Sequence, residues 1–187
     1  MGCCKLRIVF MNMRTKYLVS GLLLLFSVSA CKRSLEKYGE DFASIMKNDD
    51  GLFRGVNIGD TQDQVQQAER SAPSSYTDNV LTYEGQINET SDYAIRYGFE
   101  NGSLFEIIVD ATFENTEDGA KVINGFKEFF NERYGMFKLG SGFCVWDIQT
   151  SVANVHIELV DDSEYSSFGQ FSLNFHKQND PEIQSQQ

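Results

Sequence analysis

Several stretches of this chain alternate apolar and polar residues with a period of two, and that pattern constrains the fold more than any other feature. Tyr93, Ile95, Tyr97 and Phe99 form one such series, and Leu81, Tyr83 and Ile87 precede it. Phe105, Ile107, Val109, Ala111 and Phe113 follow, and then Cys144, Trp146 and Ile148; Val155, Ile157 and Leu159; and Phe171, Leu173 and Phe175. Successive side chains of a strand point to opposite faces, so each series puts its apolar members on one face and leaves the other wet. The face that carries Glu106 and Asp110 is the wet one. Buried parallel strands would read as continuous apolar runs, so the sheet is expected to be antiparallel. Asn101-Gly102 is a type I′ hairpin signal, because both residues tolerate positive φ.

The apolar face needs a cover, and three stretches with helical spacing supply one. Leu35, Tyr38, Phe42, Ile45 and Met46 make a stripe over residues 34–46, opened by Ser34 and stopped by Asn48-Asp49-Asp50-Gly51. This element is a tether helix, a lid, a partner-binding helix, or a part packed on its own domain. Gly59-Asp60-Thr61 opens a second helix in which Thr61 and Gln64 fit a capping box. Val65 and Ala68 form its thin apolar face, and Pro73 ends it. The third runs over residues 117–134, with Val122, Ile123, Phe126, Phe129 and Phe130 inward and Gly135 beyond its end. The expected architecture is a two-layer α+β fold. Tandem α-β-β-β repeats, residues 59–113 and 116–176, form an antiparallel sheet of about six strands with helices on one face. The expected division is a tether over 31–51, one domain over 52–177 and a loose tail over 178–187.

The N-terminus carries an address. Arg14 and Lys16 precede a short apolar run that exits through small residues to Cys31. This is the layout of a secretory signal peptide, too short for a secure membrane span. Met1-Gly2-Cys3-Cys4 hints at myristoyl-plus-palmitoyl anchoring, but Leu6 stands where that pattern needs Ser or Thr. On the signal-peptide reading translation starts at Met11 or Met13, and the residues before it are an upstream extension. An uncleaved anchor would place the chain on the same side of the membrane.

Val28-Ser29-Ala30-Cys31 resembles a bacterial lipobox. The resemblance implies that the chain is cut before Cys31, so that residues 1–30 are lost. Cys31 is then acylated on its thiol and new amine, giving a membrane anchor of palmitate-like chains. Lys32 in place of an aspartate favours the outer membrane on the same grounds. Ile58-Gly59-Asp60-Thr61-Gln62-Asp63-Gln64-Val65, followed by strands, resembles the repeat unit of SmpA/BamE lipoproteins and of β-lactamase-inhibitor proteins. Ala72-Pro73 stands where those families carry Gly-x-Pro, and no contact residue is carried over. The resemblance implies binding rather than catalysis.

Charge narrows the partners. The chain carries a net −11, yet no acid precedes Cys31 whereas Lys5, Arg7, Arg14 and Lys16 do. The chain beyond Cys31 is therefore more acidic still. Such a balance opposes nucleic-acid binding and suits a solvated surface or a basic protein partner. Cys3, Cys4, Cys31 and Cys144 show no metal spacing. With Cys31 acylated no internal disulfide is expected, and Cys144, in phase with Trp146 and Ile148, reads as a buried thiol.

The search for chemistry returns no catalytic motif and no cofactor. The two histidines, His156 and His176, alternate with apolar residues and so belong to the wet face. A turn near residues 161–167 would set His156 opposite Ser172 rather than His176, which leaves no zinc site. Carboxylates are abundant, among them Glu106, Asp110, Asp147, Glu158 and Asp161-Asp162, but no pair stands out as an acid and its base. Tyr76, Phe137, Phe143 and Phe168 lie outside the strongest buried stripes. With Glu106 and Asp110 they are the candidate partner contacts. The leading expectation is a non-catalytic, lipid-anchored envelope module that binds a protein. An inhibitor or immunity protein, and a carrier of an apolar ligand, stand as alternatives.

Overall fold

The computed structural model describes residues 35–178, and the signal segment, Cys31 and nearly all of the tail lie outside them. The described chain is α+β, with one antiparallel sheet of eight strands. The strands are β1 (Ser75–Thr77), β2 (Val80–Asn88), β3 (Ser91–Glu100), β4 (Ser103–Phe113), β5 (Lys138–Leu139), β6 (Phe143–Gln149), β7 (Asn154–Asp161) and β8 (Gly169–Lys177). The helices are α1 (Glu40–Met46), α2 (Gln62–Glu69) and α3 (Thr116–Tyr134). The expectation of about six strands was short by the two edge strands. β1 and β5 have three and two residues, too few for a period to be read. The spatial order is β1-β2-β3-β4-β8-β7-β6-β5. Thus α2 precedes one run of four strands and α3 precedes the other, and the last strands of the two runs pair at the centre.

Alternation does what the pattern requires along most of the sheet. Leu81 and Tyr83 of β2, Ile107, Val109, Ala111 and Phe113 of β4, and Phe171, Leu173 and Phe175 of β8 all enter one core. One departure comes from strand pairing. Gly98 pairs with Glu106 while Phe99 pairs with Leu104, so a bulge leaves Phe105 unpaired. Leu104 turns inward and Phe105 is only half-buried, the reverse of strict alternation. The Asn101-Gly102 turn forms as read, with φ of 51° and 78°.

The capping box read at the start of α2 forms. Thr61 Oγ1 accepts from the Gln64 amide at 3.4 Å, and Gln64 Oε1 accepts from the Thr61 amide at 2.8 Å. The helix stops at Glu69, where Arg70 takes a left-handed conformation three residues ahead of Pro73. In α3 the Asn115 side chain caps the start by accepting from the Asp118 amide. Phe126 and Phe130 of this helix meet Phe171 and Phe175 of β8. Each such ring contributes about 1.5–3 kcal/mol by leaving water. Trp146 Nε1 donates to the Gly135 carbonyl at 3.1 Å, tying β6 to the end of α3.

Of the segment expected as a tether over 31–51, the described part from residue 35 onward packs into the core. A 3-10 turn (Leu35–Tyr38) and α1 replace a single helix, because Gly39 at φ 117° breaks it. Tyr38, Phe42, Ile45 and Met46 are buried, and Tyr38 and Phe42 stack edge-on to Phe129 and Phe126. The approach is close enough that a Cβ on Gly125 would overlap the Tyr38 carbonyl oxygen. No boundary falls at residue 51, since Leu52, Phe53 and Val56 belong to the same cluster as Tyr38 and Phe42. No helix among the described residues is long and apolar enough to cross a membrane.

Candidate functional site

Outward-facing residues of the central strands line up in cross-strand rows. One row runs Glu106 (β4), His176 (β8), His156 (β7), Asp147 (β6). Another runs Glu84 (β2), Ala94 (β3), Asp110 (β4), Ser172 (β8), Val160 (β7), Phe143 (β6). The two-residue period of each strand puts these on the face opposite the core.

Polar contacts organise this face. Arg96 pairs with Asp110 Oδ2 at 2.7 Å, and Ser172 Oγ lies 3.0 Å from Asp110 Oδ1 and 2.9 Å from Asp162. His156 Nδ1 is 2.8 Å from Asp147 Oδ1, and Lys138 Nζ is 2.9 Å from Asp147 Oδ2. The Lys138 ammonium first, and then His156, hold the Asp147 carboxyl below its usual range, against a small opposing effect of burial. His176 Nδ1 is 3.0 Å from Glu106 Oε1. Toward β2 the face hollows into a cavity of about 480 Å³, lined by Glu84, Gln86, Asp92, Ala94, Asp110 and Thr112 among others. Gly85 also lines it, and there the Tyr93 ring occupies the space that a Cβ would need.

The histidine register corrects the sequence expectation. His156 pairs with His176, not with Ser172, and Ser172 pairs with Val160. The connection after β7 is longer than a turn centred near residue 164 would allow. A 3-10 turn (Ser163–Tyr165) fills it, and Ser163 Oγ accepts from the Gln170 amide and donates to the Gln170 carbonyl. Both registers keep each residue on the same face, so alternation alone could not choose between them. Among the described residues no group of three or more His, Cys, Asp or Glu is arranged to hold a metal ion.

The expected contact residues are scattered. Glu106 and Asp110 share the solvated face, and Phe143 sits half-buried at the end of the Asp110 row. Tyr76 is 58 % exposed but pairs with inward-facing Leu81 at the β1 edge, and its hydroxyl donates to Gln62 of α2. Phe137 packs against Trp146, its centroid 5.7 Å away, so it belongs to the core margin. Phe168 is 51 % exposed in the connection before β8. Cys144 is a buried free thiol whose pKa burial pushes up.

A buried polar network escaped the sequence reading. Arg54 and Glu69 are 1 % and 5 % exposed, and Arg54 Nη2 lies 2.5 Å from Glu69 Oε2. Arg54 Nη1 donates to the Ile45 carbonyl and to the Tyr93 hydroxyl, both at 3.2 Å. Tyr97 donates its hydroxyl proton to Glu69. Burial, and after it the Glu69 charge, raises the Tyr97 pKa well above the ordinary value. Arg54 and Gly55 form a tight turn with φ of 56° and 85° between the bridged Phe53 and Val56. Arg-Gly is not a usual pair for a turn of that type, so no local signal pointed to it.

The chain matches no protein-family model, no curated protein and no solved structure.

Proposed function

We propose that this chain is a non-catalytic module of a bacterial envelope, anchored by acyl chains on Cys31, whose solvated sheet face binds a basic protein partner. The observation that carries the reading is that face. It presents Glu84, Asp92, Glu106, Asp110, Asp147 and Glu158 along its strands, hollowed near Glu84 and Asp92 into the 480 Å³ cavity. Arg96 and Lys138 are each engaged with a carboxylate of the same face. An acidic concave surface gains from a positively charged partner through steering and through complementarity at contact. The doubled order of a helix followed by four strands, one strand more than the expected unit, fits a tandem repeat.

An inhibitor or immunity role is the second reading, favoured by the same acidity, since a toxin or enzyme with a basic cleft is a basic partner. A loss phenotype confined to cells exposed to that toxin would distinguish it. A carrier of an apolar ligand draws little support from the interior, where Phe126, Phe130, Phe171 and Phe175 fill the space between α3 and β8.

The test is mild cross-linking of the full-length protein in its native envelope, followed by mass spectrometry. A dominant partner that disappears on Glu84→Lys with Asp92→Lys supports the reading. A partner indifferent to the reversal moves the contact off this face. The absence of any reproducible partner sinks the binding role.

A further inference from the structure

We propose that His156 and His176 form a site for a divalent transition ion of the zinc class, independent of any protein partner. The two imidazoles sit directly opposite each other on β7 and β8. Both point away from the core, because their neighbours Val155, Ile157 and Phe175 are fully buried on the other face. Directly opposed residues place their Cβ atoms about 4.5–5.5 Å apart, which lets two rings converge on one ion.

Each ring is already oriented by a carboxylate. Asp147 stands 2.8 Å from His156 Nδ1, and Glu106 stands 3.0 Å from His176 Nδ1. Asp147 is itself fixed by Lys138 at 2.9 Å and by Gln178 at 3.0 Å. A carboxylate at Nδ1 keeps the proton on that nitrogen and leaves the Nε2 lone pair as the donor, the second-shell arrangement that metal-binding histidines use. Neutral imidazole suits zinc and its first-row neighbours, whereas magnesium and calcium prefer oxygen.

The surroundings favour a cation. Glu106, Asp147 and Glu158 face the pair, and the Lys138 ammonium is engaged with Asp147. Glu158 Oε2 lies 3.9 Å from His156 Nε2, so a rotation of that side chain brings an oxygen ligand to an ion held by the ring. The described residues hold no ready cage of three ligands. The pair therefore supplies two nitrogens, and Glu158 or water completes a tetrahedral site that stays open and exchangeable rather than structural.

The chain has only two histidines, so every imidazole signal belongs to this pair. The experiment is a Zn²⁺ titration of the tag-free full-length protein, followed by NMR of the histidine rings. Reading the rings keeps the result apart from any zinc held by a cysteine thiol. Both rings are expected to shift together with one midpoint, and Mg²⁺ at the same concentrations is expected to move neither. His176→Gln is expected to raise the midpoint of His156 at least tenfold. The proposal is overturned if neither ring responds to Zn²⁺, if the two respond with separate midpoints, or if His176→Gln leaves His156 unchanged. Should the variant fail to fold, co-titration of the two rings in the unsubstituted protein decides alone.

Discussion

Arg54 carries its charge into the protein interior, and its surroundings say what it costs to remove. Its guanidinium meets the Glu69 carboxylate, the Tyr93 hydroxyl and the Ile45 carbonyl, joining the turn before α2, the helix itself, β3 and the end of α1. Truncating one member of a buried pair leaves the other unpaired in a medium that cannot solvate it. Arg54→Ala is therefore expected to cost about 3–5 kcal/mol in urea unfolding. Replacing both partners by apolar residues of similar volume, Arg54→Met with Glu69→Leu, is expected to recover only part of that loss, because the Ile45 carbonyl and the Tyr93 and Tyr97 hydroxyls lose their partners too. Tyr97 adds a pH dependence. Its folded pKa is raised above the unfolded value of about 10, so the full stability is present below that value and falls as pH rises toward the folded pKa. The slope is about 1.4 kcal/mol per pH unit for one such group. Circular dichroism and phenolate absorbance recorded together above pH 10 should show the Tyr97 class ionising only as the fold opens.

At the scale of elements, the N-terminal segment and α3 are coupled through one missing side chain. Gly125 lets the Tyr38 backbone lie on the helix, and a methyl group there would overlap the Tyr38 carbonyl oxygen. Gly125→Ala is expected to lift residues 35–46 off α3 and to cost about 1–3 kcal/mol, although alanine favours the helix itself. Hydrogen exchange should then show faster amides in α1 while the β3, β4 and β8 amides remain protected. The long elements were legible because their patterns repeat: the Thr61–Gln64 cap, the Phe126–Phe130 stripe and the outward placement of Glu106 and Asp110 all follow from residues within one element. The bulge at Phe105 was not legible, since it arises from how β3 and β4 pair. The His156–His176 register was not legible either, because moving the partner of His156 by an even number of residues, from Ser172 to His176, keeps every side chain on its face.

For the molecule as a whole, the proposed role joins an anchor at one end to a charged sheet face. Cys31→Ser is expected to move the protein from the membrane fraction to the soluble fraction, since several acyl chains are what make such attachment stable. Retention in the membrane fraction would return the weight to an uncleaved apolar anchor. Binding of a basic partner to the face of Glu84, Asp92 and Glu106 is expected to weaken as salt rises from 0.05 to 0.5 M, concentrations chosen to shorten the screening length from above to below about 10 Å. Affinity measured against ionic strength checks this, and an affinity indifferent to salt would assign the contact to apolar surface instead. The candidate contact aromatics show why a surface is harder to read than a core. Tyr76, Phe137, Phe143 and Phe168 end on different parts of the molecule, because exposure outside a periodic stripe carries no information about direction.

The sequence by itself determined the α+β class, the antiparallel sheet with one wet face, and the places where α2 and α3 begin. These depend on periodicity and capping, which act over a few residues and are written in consecutive positions. Only the tertiary structure decided the pairing of β4 with β8, the histidine pair on the solvated face, and the burial of Arg54 against Glu69. Those depend on which distant segments meet, and the free energy that selects them comes from packing and desolvation across the whole core rather than from any local stretch of chain.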